Sequence, residues 1–218
     1  MRFLTTHPFT RAAAAVFVAV GATVLTAGVA AAAPVDILYS CEASTFIGPI
    51  ATTFDSSTEG TAPETVAPGE TFTVTVTPQP DQIPTEVSGL PLTEIKNFTL
   101  TIPIPANSTL VSASLSGGSG LGADPVLTQT ETSLVITLPS SIAGGADYQL
   151  PALTLELVAG AEGTVDVRLG GTSLTDPGLT LTAVADFLGT PIEAPTVCFP
   201  DPNPVLASTA IVSADPGV

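Results

Sequence analysis

This sequence predicts an all-β protein, an antiparallel sandwich of roughly ten short strands, and three observations carry the prediction. Short segments alternate apolar and polar residues with a period of two. Glycines and prolines punctuate them at intervals of roughly ten to twenty residues. Past residue 32 no stretch offers the apolar stripe of an amphipathic helix. The clearest segment is Ala67-Pro68-Gly69-Glu70-Thr71-Phe72-Thr73-Val74-Thr75-Val76-Thr77-Pro78. Phe72, Val74 and Val76 fall on one face of a strand and Thr71, Thr73, Thr75 and Thr77 on the other, the pattern of a sheet with one buried and one wet face.

Residues 1–32 stand apart. Arg2 and Arg11 make a short basic region, Ala12 to Ala30 an apolar run, and Ala31-Ala32-Ala33-Pro34 follows. This reads as a helical secretory signal peptide cut after Ala32, with alanines at the third and first positions before the cut. No basic stop-transfer residues follow, which argues against a retained membrane span. Leu38-Tyr39-Ser40-Cys41 has the leucine-to-cysteine spacing of a lipoprotein signal, but the bulky Tyr39 and the acidic Asp36 disfavour it. The exported chain keeps no histidine, methionine or tryptophan. Its two cations, Lys96 and Arg168, face all 20 acids, so the formal charge of −16 becomes −18. Such a surface repels phosphate backbones and anionic headgroups, which disfavours nucleic acid and direct lipid-surface binding.

About 185 residues remain, enough for one large domain or two small ones. Val35 to Ser40 and Thr45 to Phe54 read as opening strands, and Asp55 to Pro68 as a polar loop before the Thr71 strand. Four prolines between Pro78 and Pro91 imply a long connection with at most a short edge piece around Ile83 to Val87. Phe98, Leu100, Ile102 and Ile104 alternate next, with Pro103 and Pro105 placing that end at an edge or exit. Val111, Ala113 and Leu115 continue the alternation up to Gly117-Gly118-Ser119-Gly120-Leu121-Gly122, a flexible loop. Four further strands follow on Leu134/Ile136/Leu138, Leu153/Leu155/Leu157, Val165/Val167/Leu169 and Leu179/Leu181/Ala183/Ala185. The domain is therefore expected over residues 33–200, with a division into two halves near 117–125 as the alternative and 201–218 as an extended, solvated tail. A transmembrane barrel would want longer alternating segments and aromatic girdles than six phenylalanines and two tyrosines supply.

Cys41 and Cys198 sit near opposite ends of that domain and, in an exported protein, read first as a disulfide. Closing so long a loop removes roughly 5 kcal/mol of unfolded-state entropy on the chain-entropy model. The two ends of the domain should then meet.

Chemistry is harder to find. Without histidine a Ser-His-Asp triad is excluded, and Lys96 reads as a surface charge rather than half of a Ser-Lys dyad. Around Ser119 a leucine stands where a nucleophile elbow needs its second glycine. Gly118-Ser119-Gly120-Leu121-Gly122-Ala123 matches the dinucleotide fingerprint in form, but Asp124-Pro125 and a strand follow instead of the helix that would receive a pyrophosphate. Calcium could use Asp176, Asp201 or Asn203, although Asp-Pro pairs at 124, 176 and 201 are more simply turn initiators. No residue cluster calls for a metal or cofactor, and no catalytic residue is singled out. Twenty acids always allow a carboxylate pair at working distance, which keeps a carbohydrate-active hydrolase as the alternative. The threonine rows follow from strand preference alone.

The leader, the Tyr39-Ser40-Cys41 start, the Ala67-to-Val76 phrase and the closing Val197-Cys198-Phe199-Pro200 together resemble uncharacterised exported β-sandwich proteins of high-GC Gram-positive (actinobacterial) bacteria. The turn-plus-strand phrase is also similar to bacterial immunoglobulin-like surface modules. The chain departs from true immunoglobulin domains in lacking the core tryptophan and in placing its cysteines at the ends. The resemblance implies an immunoglobulin-like sandwich that is secreted or cell-wall associated, and it implies no reaction. The expected role is structural, adhesive or binding rather than enzymatic, with envelope components or another protein as partner.

Overall fold

The computed structural model describes residues 29–31 and 33–213. Among them there is no helix. In chain order the strands are β1 (Val29–Ala31), β2 (Val35–Thr45), β3 (Gly48–Pro63), β4 (Thr65–Val66), β5 (Thr71–Pro78), β6 (Asp81–Gln82), β7 (Glu86–Val87), β8 (Leu90–Pro103) and β9 (Ser108–Ser116). They continue as β10 (Val126–Gln129), β11 (Ser133–Thr137), β12 (Ile142–Ala143), β13 (Asp147–Tyr148), β14 (Ala152–Ala159), β15 (Gly163–Val167), β16 (Leu179–Phe187), β17 (Thr190–Pro200) and β18 (Ala207–Ile211).

Ten of these form one antiparallel path, β10-β11-β8-β16-β17-β2-β3-β5-β14-β9, which curls until it nearly closes on itself. The expected all-β antiparallel sandwich is what forms. In β5 the alternation is literal: Phe72, Val74 and Val76 are buried while Thr71 and Thr73 are exposed. Its neighbour β14 buries Leu153, Leu155 and Leu157 completely, each such side chain being worth about 1.5–3 kcal/mol over an exposed one. Across the core Leu153 shares the lining of a small void of about 60 Å³ with Leu100 and Ile102 of β8 and Ile136 of β11.

Five expectations need correcting. Asp55 to Pro63 is strand, not loop. It completes β3, pairing with β2 and then with β5. The period of two persists there, but Thr58, Gly60 and Ala62 take the inward positions, so no large apolar residue signals it. The tail expectation fails for the same stretch of core: Leu206, Ala207, Thr209 and Ile211 are buried, and β18 joins β15 antiparallel and β4 parallel in a three-stranded sheet. Gly60 makes the join, because a Cβ there would fall on the Leu206 carbonyl. Residues 214–218 lie outside the described residues.

The Gly117–Gly122 segment is pinned, with Ser119 and Gln149 exchanging backbone hydrogen bonds of 3.0 and 2.9 Å and Leu121 buried. Strands from before and after it interleave in one sheet, so the split near 117–125 does not occur. In β9 a bulge opposite Glu156/Leu157 turns Val111 outward and leaves Leu110, Ala113 and Leu115 against the core. The predicted leader, residues 1–32, falls outside the described residues except for Val29–Ala31. Val29–Ala31, inside the predicted 1–32 signal, pairs as β1 with Thr61–Pro63 of β3.

Candidate functional site

The two sheet layers part where three hairpins end. The β2–β3 hairpin turns through Phe46-Ile47. Thr45 Oγ1 donates to the Gly48 carbonyl at 2.6 Å and accepts the Ile47 N–H at 3.3 Å, which fixes the tip and leaves Phe46 and Ile47 in solvent. The β16–β17 hairpin turns through Leu188-Gly189, both at positive φ, 54° and 82°, as a two-residue turn matching the strand twist requires. The Asp186 carboxylate accepts the Gly189 N–H at 2.8 Å. The β7–β8 hairpin turns in the same way through Ser88-Gly89, φ 52° and 80°. The first two tips touch: the Phe46 and Phe187 rings sit edge to face with centroids 6.4 Å apart.

Beneath the tips lies an apolar cavity of about 160 Å³. Its existence follows from side-chain size. Ala43, Ala183, Ala185 and Ala194 occupy wall positions, whereas β14 turns leucines inward in the filled part of the core. Ile83, Leu92 and Phe98 form much of the remaining lining. Its side-chain polar groups are the hydroxyls of threonines, Ser88 and Tyr148, and among the described residues no acid or cation lines it.

The disulfide stands in that wall. Cys41 and Cys198 are directly opposed on β2 and β17, their Cα atoms are 4.1 Å apart, and their bond closes a loop of 157 residues. The first and last long strands of the 33–200 stretch therefore meet as expected, in the middle of the sheet, and the Cys41 sulfur is not free for the lipoprotein reading. Tyr148 reaches the floor of the cavity. Burial, reinforced by Asp81, whose carboxylate lies 3.5 Å from the hydroxyl, holds its proton well above the usual tyrosine range.

Other sequence candidates are scattered. Lys96 makes a 2.6 Å surface ion pair with Glu193, and the hydrogen bond to that carboxylate, the first of several contributions, raises its pKa. Asp176 accepts the Thr172 hydroxyl at 2.8 Å. Asn203 donates to the Leu169 carbonyl at 2.8 Å, while its own Oδ1 is buried without a partner. One open groove of about 510 Å³, beside Pro202 and Pro204, gathers Asp36, Asp55 and Asp81. Among the described residues no three acids, cysteines or histidines stand close enough to hold a metal ion, and no helix is long and apolar enough to cross a membrane.

The cavity and its tips escaped sequence reasoning. A signal existed, since Phe46-Ile47-Gly48 and Phe187-Leu188-Gly189 put large apolar residues in turns, where polar ones are ordinary.

No protein-family model matches this chain, and no curated protein does. Among solved structures it is similar in fold to a provisionally named membrane anchored protein from Corynebacterium diphtheriae, with 23% identity and a TM-score of 0.50. The match covers 84% of this chain and 38% of that one, so the likeness concerns the sandwich alone.

Proposed function

We propose that this chain is an exported, envelope-associated module whose role is binding rather than catalysis, and that its ligand is a small uncharged apolar molecule held in the cavity beneath the hairpin tips. The observation that carries this is the composition of the wall: in a chain of formal charge −16, the described residues lining the apolar cavity include no carboxylate, amine or guanidinium. Catalytic sites bring polar groups together on a reacting atom, and here the wall offers hydroxyls and hydrocarbon. Burial of apolar ligand surface supplies the affinity. The disulfide fits export, and the fold likeness to a protein named as membrane anchored supports the envelope as its place.

Titration with the neutral fluorescent probe N-phenyl-1-naphthylamine tests the reading. Saturable one-to-one binding is expected, abolished by Ala183→Leu or Ala194→Leu, which fill the cavity. Absence of saturable binding, or binding indifferent to both substitutions, overturns it.

The Asp36, Asp55 and Asp81 groove favours a second reading, a hydrolase using a carboxylate pair. Turnover of a glycan or ester panel that disappears in Asp55→Asn or Asp81→Asn would put that reading first.

A further inference from the structure

We propose that the tips of the β2–β3 and β16–β17 hairpins form a wedge that inserts into the interface of an uncharged or zwitterionic lipid bilayer. Phe46 and Ile47 are each 74% exposed, Leu188 91% and Phe187 43%. Four large apolar side chains thus stand together in water at one extremity of the molecule, joined by the Phe46–Phe187 contact.

Neither core packing nor turn geometry accounts for them. Leu188 is the sharpest case. It occupies a left-handed backbone position, φ 54°, which a Cβ disfavours and where glycine or asparagine is the ordinary occupant, and its side chain, 91% exposed, contributes nothing to the core.

The shape of the patch decides what covers it. It presents on the order of 500 Å² of apolar surface. A stable protein partner buries roughly 800 Å² per side against a complementary face, whereas two adjoining hairpin tips are small and convex. A fluid bilayer interface asks for no complementary shape, only for apolar side chains that reach past the headgroups.

The charges around the patch agree. Asp186 is turned back onto the Gly189 N–H, and Glu193 is paired with Lys96. The formal charge of −16 opposes anionic headgroups, so the sequence-level argument against adsorption by charge stands and the contact is hydrophobic. The tips also frame the cavity mouth: Thr45 and Ile50 flank one tip, Ala185 and Ile192 the other, and all four line the cavity. A bilayer seated on the wedge is continuous with the apolar wall. The wedge does not depend on the cavity holding a ligand.

Vesicle flotation with hydrogen exchange tests it on the full chain, wild type and variants sharing one N-terminus so that residues 1–32 contribute equally. On phosphatidylcholine vesicles, exchange should slow at 45–48 and 186–190 and nowhere else on the sandwich. The variant Phe46→Ser/Ile47→Ser/Phe187→Ser/Leu188→Ser should lose that protection and bind at least about tenfold more weakly. Leu188→Asn, which suits the turn and keeps the fold, should by itself weaken binding severalfold while leaving N-phenyl-1-naphthylamine binding in vesicle-free solution unchanged. Replacing half the phosphatidylcholine with phosphatidylglycerol should weaken binding further. Equal flotation of wild type and variants, a requirement for anionic lipid, or tip-dependent dimers in sedimentation would each overturn the wedge, while loss of probe binding alone would count only against the cavity reading.

Discussion

The long strand β3 passes through two differently built halves of the molecule. Along Thr58–Ala62 it is covered by β18, the layers meet, and Leu155, Leu157, Val165, Val167 and Leu206 are sealed from solvent. Along Gly48–Phe54 it walls a cavity, and its hairpin carries Phe46 and Ile47 into water. The difference is one of side-chain volume against backbone proximity. In the closed half the small inward residues Thr58, Gly60 and Ala62 are matched by an extra strand that comes close enough to use the space. In the open half the alanines of β2, β16 and β17 meet nothing, and the space stays empty. Small residues thus produce either tight packing or a binding site, depending on whether another strand arrives.

The largest expected effect joins both halves. Replacing Cys41 and Cys198 together with serine should lower unfolding stability by up to roughly 5 kcal/mol, read as a fall in the urea midpoint, with wild type under reductant as the check. A stability unchanged by either treatment would show that the strand pairing alone holds β2 to β17. Next, Leu157→Ala in the closed half should cost about 2–5 kcal/mol, because a sealed, well-packed site cannot collapse around the missing atoms.

Alkaline pH probes the buried tyrosines, Tyr39 and Tyr148, the chain's only two. Both are held above the ordinary value of 10.0, Tyr39 by burial and Tyr148 by burial first and Asp81 second. A raised folded value means the unfolded chain ionises first, so this stability is intact below about pH 10 and is lost progressively above it. Tyrosinate absorbance and far-ultraviolet circular dichroism should therefore change in one step. Tyrosinate appearing near pH 10 while the dichroism stays native would contradict the burial of both rings.

Smaller still, Thr209→Val in β18 should stabilise by about 1 kcal/mol, since the Thr209 hydroxyl is buried with no partner. A loss of stability there would mean that the hydroxyl is satisfied in solution. Smallest is Ala183→Leu in the open half, expected within about 1 kcal/mol of wild type, because it grows into existing space. A cost like that of Leu157→Ala would erase the distinction between the halves.

Much of the fold was readable wherever large apolar residues carried the alternation. Phe72/Val74/Val76, Leu134/Ile136 and Leu153/Leu155/Leu157 fall on strands and face the core as their spacing implies. The reading stopped where glycine, alanine and threonine took those positions, as in β3 beyond Asp55, because small residues look alike in strands and loops. The bulge opposite Glu156/Leu157 was invisible for another reason: it depends on the partner strand, and β9 alone gives no hint that Leu110 will replace Val111. The two tips left only the trace of apolar residues in turns, which the strand pattern did not single out, and their adjacency follows from the order β16-β17-β2-β3, which brings residues 46 and 187 together only through long-range pairing. The cysteines were the one local clue to that order, since a Cys41–Cys198 bond requires β2 and β17 to be neighbours.

That bond also determines how the module bears load. Tension entering through the segment before β2 and leaving through the segment after β17 passes directly from Cys41 to Cys198, so the chain between them, which spans a sequence separation of 157, carries none of it. An oxidised molecule stretched between two attachment points can lengthen only by peeling its outermost segments, and the cavity with its overhanging turns rides inside a mechanically shielded ring.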